Sequence, residues 1–319
     1  MKSKIWLALL ALYIVWGSTY LGIRFAIETI PPFIQAGIRF LISGIILIVW
    51  QRAAGAAMPT RKQWISTAII GNLLLLGGNG MLGWAEQTIP SGIAALIIGA
   101  MPMFLVIAEA FRPKGVKPNL RAIIGLLFGF AGIIFLIGPS EISGSGRQLN
   151  PLGLGALFIA LITWSSGSVY AKVADLPKST LVTTGAQMLT GSIGLIIIAF
   201  ITGEFNGFNI MEVSTKSLLG LTYLIFVGSL VGFVSYGWLL QNAPISLVST
   251  YAYVNPIVAV LLGTWFANEK LEPRIWVATG IIIGSVIFIN STRPKVHATL
   301  SPQASAGERE AKEVVESVS

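Results

Sequence analysis

Arg39 is the one basic residue well inside an apolar run of this sequence, in Ile38-Arg39-Phe40-Leu41. It lies about six residues, or ~9 Å of helical rise, from the nearer end of that run. A guanidinium in hydrocarbon is costly, so it either faces a wet cavity or a carboxylate, or snorkels to the headgroups as an anchor. In a cavity it would bind a substrate carboxylate, or form a gate with Glu86 or Glu28. Glu86 and Glu109 stand near the ends of apolar runs, where each has the choice of pairing with a base, carrying a proton or being solvated. For Glu109, nearby Arg112 and Lys114 offer an ordinary surface partner. No carboxylate occupies the centre of a run, which argues against obligatory proton coupling through a buried acid.

Neutral groups with chemistry are also found at depth. Trp16, Tyr20, Trp164, Tyr236, Tyr251 and Tyr253 lie inside the runs rather than only at their ends, where aromatic belts belong. A buried Tyr or Trp needs a hydrogen-bond partner, which cavity water or a solute supplies; plain packing is the alternative. Asn79 and Asn255 are amides at the same depth. Asn255 precedes Pro256, so its side chain has the choice of lining a pore or satisfying backbone opened by the proline. Pro102 and Pro256 are candidate kinks and hinges. The chain has no cysteine, and its one histidine, His297, falls in a polar C-terminal stretch, so disulfides, thiolate chemistry and His or Cys metal sites have no raw material. Gly77-Gly78-Asn79-Gly80 follows no strand and precedes no Lys-Ser/Thr, so it is not a phosphate loop. No cofactor and no metal are expected. An intramembrane lipid-modifying enzyme would need a nucleophile-base pair or metal ligands at depth, and the runs carry neither.

The elements that position these residues follow from composition. The chain has 319 residues, 54% hydrophobic and 11% charged, with a mean hydropathy of +0.80. That balance excludes a water-soluble fold. The apolar residues fall in runs of transmembrane-helix length, without the short alternating segments of a membrane β-barrel. The spans predicted are 5–24, 33–50, 64–84, 90–111, 121–138, 151–172, 180–202, 217–240, 245–267 and 274–291. The first has the outline of a signal peptide but no small-residue cleavage site, and reads as a retained helix. Lys2, Lys4, Arg61, Lys62, Arg112, Arg121, Lys172 and Lys178 fall on one side of this layout, against Arg147, Lys216, Lys270 and Arg274 on the other. The positive-inside rule therefore places both termini in the cytoplasm of a plasma-membrane protein. The net charge of +8 is spread over short loops and forms no nucleic-acid-binding face.

A repeat fixes the organisation. Gly83-Trp84-x-x-Gln87-x-x-Pro90 recurs as Gly237-Trp238-x-x-Gln241-x-x-Pro244, and Pro102 and Pro256 follow at the same interval. Trp16 and Gly37 correspond to Trp164 and Gly185, Arg39 to Gln187, and Pro118 and Gly125 to Pro273 and Gly280. Five spans per copy force the second copy to enter from the opposite side, giving an inverted pair suited to alternating access at a midplane site. The prediction is an all-α polytopic membrane protein of ten transmembrane helices in two inverted five-helix repeats. Its divisions are a first repeat over 1–138, an extracytoplasmic Gly/Ser-rich linker over 139–150, a second repeat over 151–292 and a disordered cytoplasmic tail over 293–319. The Gly-x-x-x-Gly pairs at 125/129, 228/232 and 280/284 read as close helix packing.

Trp16-Gly17-Ser18-Thr19-Tyr20, Ile38-Arg39-Phe40-Leu41, and Trp84-Ala85-Glu86-Gln87 with Pro90-Ser91-Gly92, in this order and in a five-plus-five layout over 5–292, resemble the EamA-type branch of the drug/metabolite transporter superfamily. The resemblance implies a central cavity lined by the first four helices of each half, with the fifth and tenth peripheral. It also implies a secondary transporter, an exporter of amino acids or related small metabolites. Multidrug or lipid-carrier translocation is the alternative within that superfamily. The candidate cavity residues are Trp16, Tyr20, Arg39, Asn79, Glu86, Trp164, Gln187, Tyr236, Tyr253 and Asn255, with Pro102 and Pro256 as hinges. The expected partners are the lipid bilayer and a small-molecule substrate, with no nucleic acid; a homodimer is left open.

Overall fold

The computed structural model describes residues 2–113, 115, 117–137, 149–242, 251–268 and 273–291. The linker 139–148, the tail from 292 and the start of the ninth predicted span at 245 lie outside the described residues. Among the described residues the chain is helical and contains no strand. The helices are α1 (Lys2–Ala26), α2 (Pro32–Ala53), α3 (Arg61–Ala85), α4 (Ser91–Phe111), α5 (Leu120–Ile137), α6 (Pro151–Tyr170), α7 (Thr180–Ile201), α8 (Thr215–Tyr223, continuing to Asn242), α9 (Tyr251–Ala267) and α10 (Pro273–Ser291). α1 to α4 and α6 to α8 are each long and apolar enough to cross a membrane, and α5 and α9 contain shorter apolar stretches. The protein is a polytopic, multi-pass membrane protein.

Short polar signals start these helices. Thr60 and Gln63 form a reciprocal capping box at α3. Asn150 accepts from the amides of Leu152 and Gly153 ahead of Pro151 at α6, and Ser179 and Ser214 cap α7 and α8. α2 has a proline at its first position, and Glu204, from the segment after α7, takes the place of a local cap. Its two carboxylate oxygens accept from the amides of Phe33 at 3.2 Å and Ile34 at 2.9 Å. A carboxylate there satisfies two of the free N–H groups at the helix start and meets the positive end of its dipole.

Two helices widen at corresponding places. α3 runs in wide π turns from Asn72 to Gly80, and α8 does so from Leu224 to Val231. π turns inside α-helices gather at functional sites.

Packing between the first five helices and the last five is reciprocal. α2 lies along α7 and α5 along α10, while α1 packs on α8 and α9 as α6 packs on α3 and α4. At one end of the bundle the Glu28 carboxylate meets Lys216 Nζ at 2.5 Å; at the other, Asp175 meets Lys62 at 3.6 Å. α3 begins beside Asp175, whereas α8 begins beside Glu28, so these two helices run in opposite directions. Trp6, Trp50, Trp265 and Trp276 are exposed on the outside of the bundle, and Trp64 is half-buried. Small-residue packing holds at Gly129, where an added Cβ would meet Met103 and Ser285, but Gly280 and Gly284 have no such neighbour within 4 Å.

Candidate functional site

Between the two sets of helices lies a cavity of about 170 Å³. Trp16, Thr19, Tyr20 and Arg39 line it from α1 and α2, Gly78, Asn79 and Leu82 from α3, and Gly99, Met101, Pro102 and Leu105 from α4. Trp164, Phe233, Tyr251, Asn255 and Pro256 complete it from α6, α8 and α9. Most of this wall is apolar or aromatic, as in small-molecule sites generally, with a few polar groups converging on it.

The two tryptophans reach the cavity through matching contacts. A Cβ added to Gly78 would lie 2.6 Å from Trp164 Cε3, and one added to Gly232 would collide with Trp16 Nε1. In both places the glycine has no side chain because an indole occupies the space. Their further surroundings differ. Trp16 packs edge-on to Phe233 at 5.4 Å and to Tyr251 at 5.0 Å between ring centroids, and beside Tyr236 at 5.1 Å. Tyr236 therefore stands behind the wall, in this aromatic cluster.

Arg39 is 3% exposed. Its Nε donates to Ser229 Oγ at 2.8 Å, and its guanidinium lies 4.7 Å from the centroid of the Phe40 ring. Ser43, one turn on, donates to the Arg39 carbonyl at 2.8 Å and so braces that turn of α2. Arg39 forms no salt bridge among the described residues. The gate with Glu28 is not formed, because Glu28 pairs with Lys216 at the bundle end. Glu86 is fully buried beyond α3, outside the lining, and Arg24 donates to its backbone carbonyl. Glu109 joins Arg112 at 2.5 Å and Lys172 at 2.8 Å at the Asp175 end, an interface role. Lys114 lies outside the described residues.

Gln187, the counterpart of Arg39, does not reach the cavity. α3 and α7 approach there through small residues, so that a Cβ on Gly71 would collide with the Gln187 carbonyl. Asn255 is 7% exposed, and with its amide nitrogen toward acceptors it donates to the carbonyls of Tyr251 at 3.1 Å and Tyr13 at 3.2 Å. It thus ties α9 to α1 while forming part of the wall. Asn79 Nδ2 donates to the Leu74 carbonyl at 3.5 Å, five residues back, along the widened backbone. The side chain of Tyr253 lies outside the described residues.

The two prolines meet one structural feature from opposite sides. α4 breaks at Gly99–Ala100 and restarts with Pro102 in its first turn, whereas α9 continues through Pro256. A Cβ on Gly99 would come within 2.8 Å of Pro256 Cγ, so the break in α4 rests against the proline of α9. Ser229, Thr19 and Glu204 are the functional candidates that residue type and spacing did not single out.

The EamA-like transporter family model matches residues 3–138 and 151–291. This chain belongs to the EamA-like transporter family. It is 39% identical over 285 residues to the uncharacterized inner membrane transporter YedA of Escherichia coli strain K12, covering 88% of this chain and 89% of that one. It is 28% identical to protein PecM of Dickeya dadantii, over 88% of this chain and 92% of PecM. It is 22% identical to the uncharacterized transporter YoaV of Bacillus subtilis, over 90% of this chain and 97% of YoaV. A protein of solved crystal structure shares the fold at a TM-score of 0.62 and 19% identity, over 89% of this chain and 96% of its own. The EamA-like protein is a membrane transporter.

Proposed function

We propose that the protein is a secondary transporter that exports amino acids or related small metabolites by alternating access. The observation that carries this reading is the cavity between the two halves, with Trp16 and Trp164 on equivalent helices and Pro102 and Pro256 on its wall. Ten spans in two inverted five-helix repeats, 1–138 and 151–292, account for the reciprocal packing, the paired π segments and the opposite directions of α3 and α8. Both termini are cytoplasmic in this arrangement, and the Glu28 end faces outward.

Trp16, Tyr20, Arg39, Asn79, Trp164 and Asn255 contact the solute. Tyr236 supports the aromatic wall, and Glu86 and Gln187 act from behind it. The joint at Gly99 to Pro102, resting on Pro256, absorbs the rocking between states. The cavity's size favours a small solute over a lipid-linked carrier. Transport rather than intramembrane catalysis is supported by the names of the relatives. The bilayer and a small solute are the partners. Uptake into inverted vesicles tests the proposal: a gain in accumulation of a small metabolite on overexpression is expected. No movement of any amino acid or amphipathic metabolite, with or without a proton gradient, counts against it.

A further inference from the structure

The charge inventory around the cavity points to the class of solute. Arg39 is the sole formally charged side chain among the residues lining it. Only its Nε is committed to a protein acceptor, Ser229 Oγ at 2.8 Å. Its Nη2 lies beside Gly228 of α8, where an added Cβ would come within 3.4 Å of it and 3.0 Å of the Thr19 methyl. Among the described residues no acidic side chain lines the cavity. A lone cation at this depth is unfavourable until an anion joins it, so the site favours one negative charge.

The rest of the wall offers a second, positive group no charged partner. Asn255, Asn79 and Thr19 spend their donors on backbone carbonyls, so they present only neutral acceptor oxygens, which do not compensate a full positive charge. The rings of Trp16 and Trp164 also line the wall, and an aromatic ring accepts an apolar body as readily as an ammonium. A zwitterion bound here leaves one positive charge uncompensated in the site, whereas a monoanion leaves none. Electrostatics within the cavity therefore ranks the anion first, the zwitterion second and the cation last.

We infer that the physiological solute is a small organic monoanion, a carboxylate with an apolar or aromatic body and no ammonium group, exported electrogenically. This narrows the transporter reading above and rests on it. Each turnover moves the charge of the solute, so the inside-negative membrane potential itself drives exit, by roughly fifty-fold in concentration ratio per 100 mV. No proton need accompany it, in keeping with the absence of a carboxylate among the described residues that line the cavity.

The test uses the purified full-length protein in liposomes with three probes of one skeleton: 4-methyl-2-oxopentanoate, leucine and isopentylamine. Labelled-probe efflux is compared with protein-free liposomes while a valinomycin-clamped potassium gradient sets the potential. The oxo acid is expected to leave at least tenfold faster than leucine, the amine not above background, and reversing the potential is expected to slow the oxo acid severalfold. Arg39→Gln should abolish this flux while remaining monodisperse in detergent, and Arg39→Lys should restore part of it. Faster efflux of leucine or the amine, or oxo-acid efflux indifferent to potential, overturns the anion assignment and leaves the transporter reading intact. Failure of all three probes to exceed protein-free liposomes overturns both.

Discussion

The two ends of the bundle carry the same contact built with different strength. Lys62 and Lys216 stand at the interval that separates Gly83 from Gly237, as do the helix caps Thr60 and Ser214. Each lysine reaches the end of the first helix of the opposite half. At the Glu28 end the pair closes to 2.5 Å, Lys216 lies 4.2 Å from the centroid of Phe25, the Ser214 amide donates to Thr29 Oγ1 at 3.0 Å, and Ser217 Oγ donates to the Phe25 carbonyl at 2.8 Å. At the Asp175 end the pair stands at 3.6 Å, with Gln63 Nε2 donating to Asp175 and to the Leu176 carbonyl at 3.3 Å each. A repeated contact that is firm at one end and slack at the other is what a transporter needs if only one end is to open at a time.

The centre should respond alike in both halves and the ends should not, and that contrast orders the tests. Gly78→Ala and Gly232→Ala each push a Cβ into an indole, and each should cost about 1–3 kcal/mol of stability, read as equal drops in detergent unfolding temperature. A large inequality breaks the equivalence of the halves. Lys216→Glu replaces an attraction with a repulsion at the firm end. Because the chain has no cysteine, a single Thr19→Cys reports access, and its labelling by an impermeant maleimide from the Glu28 end should rise severalfold. Lys62→Glu should change that labelling less than twofold, since its longer pair is more exposed and exposed pairs contribute little.

A smaller effect concerns pH. Desolvation holds the Glu204 carboxyl above its ordinary value, against the lowering pull of the Ile34 and Phe33 amides. A raised folded value means that its contribution to stability is complete below about pH 4.3 and is lost as pH rises through the folded value. Unfolding temperature should therefore carry a downward slope from mild acid toward neutrality. Glu204→Gln should flatten that slope, and an unchanged slope would remove Glu204 from the account.

Much of this was legible from residue types. The Gly-Trp-x-x-Gln-x-x-Pro recurrence aligned the halves, and Arg39, Trp16, Asn79 and Pro256 stood out as polar, aromatic or helix-breaking groups at depth. Gln187 misled, because equivalence to Arg39 says nothing of neighbours: Gly71 lets α3 close onto it, while α8 carries Ile225 at the corresponding place. Ser229 and Glu204 were invisible for another reason. A serine in an apolar helix and a glutamate in a loop are unremarkable until the fold sets them against Arg39, or against the start of α2, 170 or more residues away in sequence. The wide turns in α3 and α8 leave no single-residue mark either, since their backbone pattern depends on what the surrounding helices allow.

Those wide turns store angular phase. Each absorbs surplus residues relative to a regular α-helix, so everything beyond it is set at a different azimuth from the one its sequence position would give. Tightening one turn by a residue would rotate the segment beyond by about 100°. In α8 such a slip would swing Phe233 and Tyr236 around the helix axis past Trp16 as a group, changing the face shown to the cavity without drawing the helix through the bilayer.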